Sequence, residues 1–129
     1  MLCYCKSGKI YAECCQAIHL GHRQAQTAEE LMRSRYTAFA TADVNYLMRS
    51  HHSSSRPIRE KKNILQFARS VDWMGLQIIR TQAGNPDDSE GWVEFKATYL
   101  EKGRLCCLHE NSYFVKEKNI WYYKDGIQL

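Results

Sequence analysis

Apolar residues change their spacing once along this chain, and the change divides it. Met32, Tyr36, Phe39 and Ala40 recur at three- and four-residue intervals, which places side chains on one face of an α-helix. From Trp73 the interval becomes two, most plainly where Val93, Phe95, Ala97 and Tyr99 alternate with Glu94, Lys96 and Thr98, as in a strand with one buried face. The first 20 residues follow neither rule and hold four of the six cysteines.

Local signals place the elements. Thr27 and Glu30 have capping-box spacing, so a helix starts at Thr27-Ala28-Glu29-Glu30. A short helix is expected around Asp43 to Arg49, with Tyr46 and Leu47 inward, followed by a Ser53–Ser55 and Pro57 loop. Ile58, Ile64, Leu65, Phe67, Ala68 and Val71 suggest a third helix ending near Ser70. Strands are then expected at Trp73–Thr81, around Val93–Tyr99, at Leu105–Val115 and at Ile120–Lys124. A polar turn at 83–91 and short connections at 101–104 and 117–119 permit only antiparallel neighbours, because parallel strands need a long crossover. The pattern predicts an α+β fold: about three helices packed on one face of a curved four-stranded antiparallel sheet. With 129 residues there is room for one main domain, 27–129, and a small appended segment, 1–20.

Composition narrows the function classes. No apolar run approaches the ~18 residues of a membrane span, and the polar, cysteine-rich start is no secretion signal. A cytoplasmic protein without membrane contact is expected, and clustered thiols in a reducing compartment suggest metal ligands rather than disulfides. The net charge of +4 is mild but uneven: residues 1–26 carry +3 and −1, residues 27–70 carry +8 and −4, and residues 71–129 carry +7 and −9. A basic first half leaves nucleic-acid binding through Lys6, Lys9, Arg33 and Arg35 as one alternative. Gly-rich phosphate loops, a nucleophile elbow and H-E-x-x-H are absent.

Cys3, Cys5, Cys14 and Cys15 form two thiol pairs separated by eight residues, a set that can close a tetrahedral Zn²⁺ site with no open position. Lys6, Lys9 and the Ser7-Gly8 backbone would offset the formal charge of −2 on such a centre. If adjacent Cys14 and Cys15 cannot both reach the ion, His19 or His22 is available as the fourth ligand. Of Cys106 and Cys107, which point to opposite faces of a strand, one is expected in the core. Adjacent His51 and His52 read as a solvated helix end rather than a metal or proton-relay pair.

The run Cys3-Tyr4-Cys5-Lys6-Ser7-Gly8-Lys9-Ile10-Tyr11-Ala12-Glu13-Cys14-Cys15 resembles the SEC-C zinc motif, C-P-C-G-S-G-x-x-Y-x-x-C-C/H. It departs from that pattern with Tyr4 in place of Pro, Lys6 in place of the first Gly and Gln16 in place of the following Gly. Leu31-Met32-Arg33-Ser34-Arg35-Tyr36, Asp72-Trp73-Met74-Gly75-Leu76, Glu110-Asn111-Ser112-Tyr113-Phe114 and Trp121-Tyr122-Tyr123-Lys124-Asp125-Gly126 resemble the YchJ family of uncharacterised bacterial proteins. The resemblance implies a SEC-C zinc segment followed by a cone-shaped domain like nuclear transport factor 2. Many members carry a second SEC-C motif after that domain, which residues up to Leu129 do not include.

The leading expectation is a structural zinc module that contacts another protein. A cone fold also encloses a pocket between helices and sheet, and Arg33, Arg35, Tyr36, Glu110, Ser112 and Asp125 are its candidate polar residues. If Leu108, Glu110, Ser112 and Phe114 share a face, Glu110 and Ser112 point inward, which suits a small-molecule binder or an acid/base enzyme. The plainer expectation is that an Arg of the first helix pairs with Glu110 or Asp125 and ties helix to sheet.

Overall fold

The computed structural model describes every residue from Met1 to Leu129. Four helices, α1 (Cys15–His19), α2 (Ala28–Ala40), α3 (Val44–Arg49) and α4 (Lys61–Ser70), precede four strands, β1 (Asp72–Ala83), β2 (Glu90–Glu101), β3 (Arg104–Glu117) and β4 (Ile120–Gln128). The strands form one sheet in sequence order, every neighbour antiparallel. This is the expected α+β architecture. It differs in detail: α1 lies in the cysteine-rich segment, and the helix expected from Ile58 begins at Lys61 after a 3-10 turn at Ile58–Glu60.

The helix starts follow from their caps. Thr27 Oγ1 accepts from Glu30 N at 3.0 Å, while the Glu30 carboxylate reaches past Thr27 to Gln26 N (2.8 Å) and Arg23 Nη1 (2.8 Å). Asp43 Oδ1 accepts from Tyr46 N at 3.0 Å and starts α3. The sheet turns are equally local: Lys102-Gly103 and Lys118-Asn119 all have positive φ, the two-residue hairpin geometry that matches strand twist. At the other end of the sheet, Ala28 N donates to Gly84 O at 3.0 Å, docking the start of α2 on the β1–β2 connection. A side chain at Gly91 would collide with the backbone of Gly84, so that docking needs a glycine there.

The core lies between α2 and the sheet. Leu31, Met32 and Tyr36 of α2 meet Val93, Phe95, Ala97, Phe114 and Trp121. Cys106 is half-buried and Cys107 exposed, so neither joins this core. They lie close to the Lys102-Gly103 tip, pairing with Tyr99 and Thr98, where Phe67 of α4 packs on the Tyr99 ring. No helix is long and apolar enough to cross a membrane.

Candidate metal centre and the cavity beneath the helices

The N-terminal segment is a tight knuckle. Cys3 N donates to Lys9 O (2.8 Å) and Tyr11 N to Met1 O (2.9 Å), folding residues 1–11 into a narrow loop. Lys6 (φ 64) and Gly8 (φ 84) make its left-handed turns. The Lys6 conformation is natural for the glycine usual at this motif position and carries strain for a lysine. The backbone thereby brings the two thiol pairs face to face.

All four sulfur atoms, from Cys3, Cys5, Cys14 and Cys15, lie within 4.8 Å of one another and all four residues are buried. Cys5 Sγ is 3.7 Å from Cys14 Sγ, and Cys14 Sγ is 4.0 Å from Cys15 Sγ. Tetrahedral Zn²⁺ with bonds of about 2.3 Å would set sulfur–sulfur edges near 3.8 Å, so the donor set fits such an ion. Adjacent Cys14 and Cys15 both reach the cluster because Cys14 breaks regular geometry (φ −110°, ψ −115°) between a 3-10 turn and α1. His19 is not part of it: Nε2 donates to Ser34 O at 2.8 Å and ties α1 to α2. His22 is exposed and outside the cluster.

Electrostatics within the cluster are uneven. The Cys5 thiol is held well below its ordinary range, first by the hydrogen bond from Cys15, against the effect of burial. Cys15 is pushed up by that same bond and by burial, and burial raises Cys14. Ser7 Oγ, 3.4 Å away, donates to Cys14 Sγ, and Ser7 in turn accepts from Lys9 N at 3.2 Å. A divalent cation is the group that would let all four thiols lose their protons.

The knuckle is anchored to α2. Arg33 Nη1 donates to Cys5 O at 2.6 Å while Nε meets Glu29 Oε2 at 3.0 Å. Cys3 Sγ lies 3.9 Å from Thr37 Oγ1. Arg33 therefore faces the thiol cluster and not the pocket for which it was a candidate. On a helix it lies roughly 200° around from Arg35, and only one of the two can face the sheet.

That one is Arg35. With Tyr36, Glu110 and Ser112 it lines a cavity of about 150 Å³ between α2 and the sheet, walled by Phe39, Trp73, Phe95, Leu108 and Tyr123. The shared inward face of Glu110 and Ser112 is as expected. The expected ion pair is not formed: Arg35 Nη1 donates to Leu47 O (2.9 Å) and Ser50 Oγ (2.7 Å), and its guanidinium lies 4.6 Å over the Tyr123 ring. It caps the C-terminal end of α3 instead, where a cation is favoured. Glu110 Oε2 accepts from Ser112 Oγ at 2.6 Å, and burial followed by the Glu110 charge pushes the Tyr123 hydroxyl up to about 12.

Asp125 is exposed and sits on the opposite face, beside Trp92, Asn111 and Tyr113. Simple alternation from inward-facing Tyr123 would have placed it in the cavity. A register irregularity intervenes: Phe114 pairs with Tyr123 but Tyr113 with Asp125, so Lys124 is skipped and the side chains reverse. Trp73 and Tyr123, absent from the candidate polar set, turn out to wall the cavity; the Asp-Trp and Trp-Tyr-Tyr runs were the available signal. His51 and His52 are engaged in local bonds, His52 Nε2 meeting Glu117 Oε2 at 2.5 Å across to β3.

Comparison with known proteins is consistent across the chain. The sequence profile described as "YchJ, middle NTF2-like domain" matches residues 27–126. A UPF0225 protein of Geobacter sulfurreducens is 43% identical over 125 residues, covering 97% of this chain and 78% of that protein. One from Vibrio parahaemolyticus is 40% identical over 96% of this chain and 73% of its own length. The solution structure of a SEC-C motif-containing protein from Rhodopseudomonas palustris superposes with a TM-score of 0.90 at 31% identity, covering 100% of this chain and 99% of that one. The crystal structure of a SEC-C motif-containing protein from Psychrobacter arcticus gives 0.82 at 30% identity over 95% and 80% of the two chains.

Proposed function

The chain belongs to the YchJ family, with a SEC-C motif ahead of a nuclear transport factor 2-like domain, and from that premise we propose that residues 1–20 are a structural Zn²⁺ module presenting a protein-binding surface. Zinc is favoured over harder ions by the all-sulfur donor set, and a structural role by the four protein ligands, which leave no position for water or substrate. A bound Zn²⁺ would supply cross-linking of the two ends of the knuckle. The chain's own residues do the rest: Ser7 donates to a ligand sulfur from within the loop, and Arg33 holds the Cys5 carbonyl and so orients the loop on α2.

One observation carries the interaction half of the reading. With its thiols turned inward, the knuckle turns its apolar side chains out: Met1, Leu2 and Ile10 are 73%, 67% and 51% exposed, and Leu2 is bridged directly to Ile10. Tyr4, 38% exposed, extends the surface, and exposed Lys6 and Lys9 flank it. An apolar patch beside cations suits a partner protein whose own apolar surface is edged by carboxylates. Phosphate binding is less favoured because Arg35 is buried and Arg33 is already paired with Glu29.

Capture experiments in a bacterial lysate with wild type and Ile10→Asp test this. The variant alters only an exposed side chain, so its metal content stays at the wild-type level while captured partner falls at least about tenfold. Equal recovery of the same proteins by both forms would contradict an interaction through this surface.

A further inference from the structure

Arg35 enters the cavity as a buried cation with no carboxylate partner. The residue is 9% exposed, and no Asp or Glu oxygen lies within salt-bridge distance of it. Its protein hydrogen bonds all come from Nη1; Nε and Nη2 donate to no protein acceptor, yet neither is sealed from the surface. Stacking on Tyr123 offsets part of the cost of burying the charge but satisfies none of these donors. A second unmet donor belongs to the same walls: Trp73 Nε1 is the buried side-chain nitrogen with no hydrogen-bond partner.

Most of the remaining wall is apolar, and the cavity volume is about 150 Å³. A void of roughly that size accepts a molecule such as benzene, which sets the scale of the occupant. The unpartnered nitrogens of Arg35 and Trp73 are donors, one of them on a cation, and the Tyr36 and Tyr123 hydroxyls in the same wall can donate as well, so the occupant brings acceptors and negative charge. Glu110 limits how much: its carboxylate lines the same cavity, held by Ser112, and opposes a second negative charge on the guest. These constraints converge on one class of ligand. We propose that the cavity beneath α2 binds a small organic monocarboxylate with an apolar body about one ring in size, its carboxylate on Arg35 and its body against Phe39, Trp73 and Leu108. The guanidinium is already fixed by Leu47 O and Ser50 Oγ, so little conformational freedom remains to be lost on binding.

The test titrates benzoate, benzyl alcohol and inorganic phosphate into the full, metal-loaded chain and follows the Trp73 indole and Arg35 Nε–H signals by two-dimensional ¹H–¹⁵N NMR. Benzoate is expected to produce saturable shifts of both, with benzyl alcohol and phosphate at least about tenfold weaker. Leu108→Phe fills the cavity from the sheet side without touching the Arg35 bonds, and should weaken benzoate about tenfold or more while the spectrum stays folded. Arg35→Met should do the same where it folds. The proposal is overturned by any of three results: no saturable shift with benzoate at millimolar concentration, equal affinity for benzyl alcohol, or undiminished benzoate binding in Leu108→Phe.

Discussion

The thiol knuckle and the cone domain solve the problem of folding in opposite ways. The knuckle spans few residues, buries four sulfur atoms and little hydrocarbon, and turns Met1, Leu2 and Ile10 to solvent. The larger core cluster buries fifteen apolar side chains drawn from α1, α2, α3, the Ala25 connection and all four strands. A segment with almost no apolar interior would depend on the proposed cation, whereas the cone has the hydrophobic burial to fold without one. The thiol loop itself touches α2 through polar contacts, at Arg33 with Cys5 and at Cys3 with Thr37, while α1 behind it joins the main core through Ile18 and the His19–Ser34 bond.

The difference can be pushed hardest by removing the metal. Structural zinc sites in small motifs carry about 10 kcal/mol or more of apparent binding free energy, so chelation should melt residues 1–15 while the sheet persists. Hydrogen exchange resolved by residue checks this: amide protection lost in the knuckle and retained in β2 and β3. Cooperative loss of both would merge the two regions into one folding unit.

The converse perturbation is Phe114→Ala. Phe114 is fully buried at the centre of the cone cluster, and the truncation should cost about 3–5 kcal/mol in denaturant unfolding followed by tryptophan fluorescence. Metal stoichiometry should be unchanged. A smaller effect is read from pH. Burial, followed by the charges of Arg35, Arg56 and His52, lowers His51 from 6.5 to about 4. The unfolded chain therefore takes up this proton at a higher pH than the folded one. Stability is fully present above pH 6.5 and falls as the pH drops toward 4. His51→Gln should flatten that acid slope in urea midpoints measured across the same window, leaving the slope above it unaltered.

The smallest expected change is a gain. Lys6 occupies a left-handed conformation that glycine adopts freely, so Lys6→Gly should stabilise the knuckle by up to about 1 kcal/mol. A rise in zinc affinity in competition with a chromogenic chelator would register it, and a fall would show that the Lys6 charge outweighs the strain.

Much of this was legible because it is local. The switch from helical to alternating spacing, the Thr27 and Asp43 caps and the short strand connections each act within a few residues, and together they specify an α+β meander. The cysteine spacing carried the cluster for the same reason. What escaped depended on registers and angles that no short window holds. Asp125 is a pocket candidate by its place in the Trp-Tyr-Tyr-Lys-Asp-Gly run, and the skipped Lys124 turns it to the opposite face. Arg33 and Arg35 share residue type and neighbourhood, and only the angular position of α2 over the sheet sends the first to the knuckle and the second to the cavity. The Arg–Glu pair was a sound electrostatic expectation, but it did not anticipate that the C-terminal end of α3 and the Tyr123 ring would take the guanidinium.

The central claim is that four thiolates near the N-terminus close around a single zinc ion, and elemental analysis of freshly purified, reduced protein beside Cys14→Ser tests it most directly. One equivalent of zinc in the wild type, lost in the variant, is the predicted result. Equal metal in the two proteins, or a metal-free wild type whose knuckle amides remain protected, would contradict it.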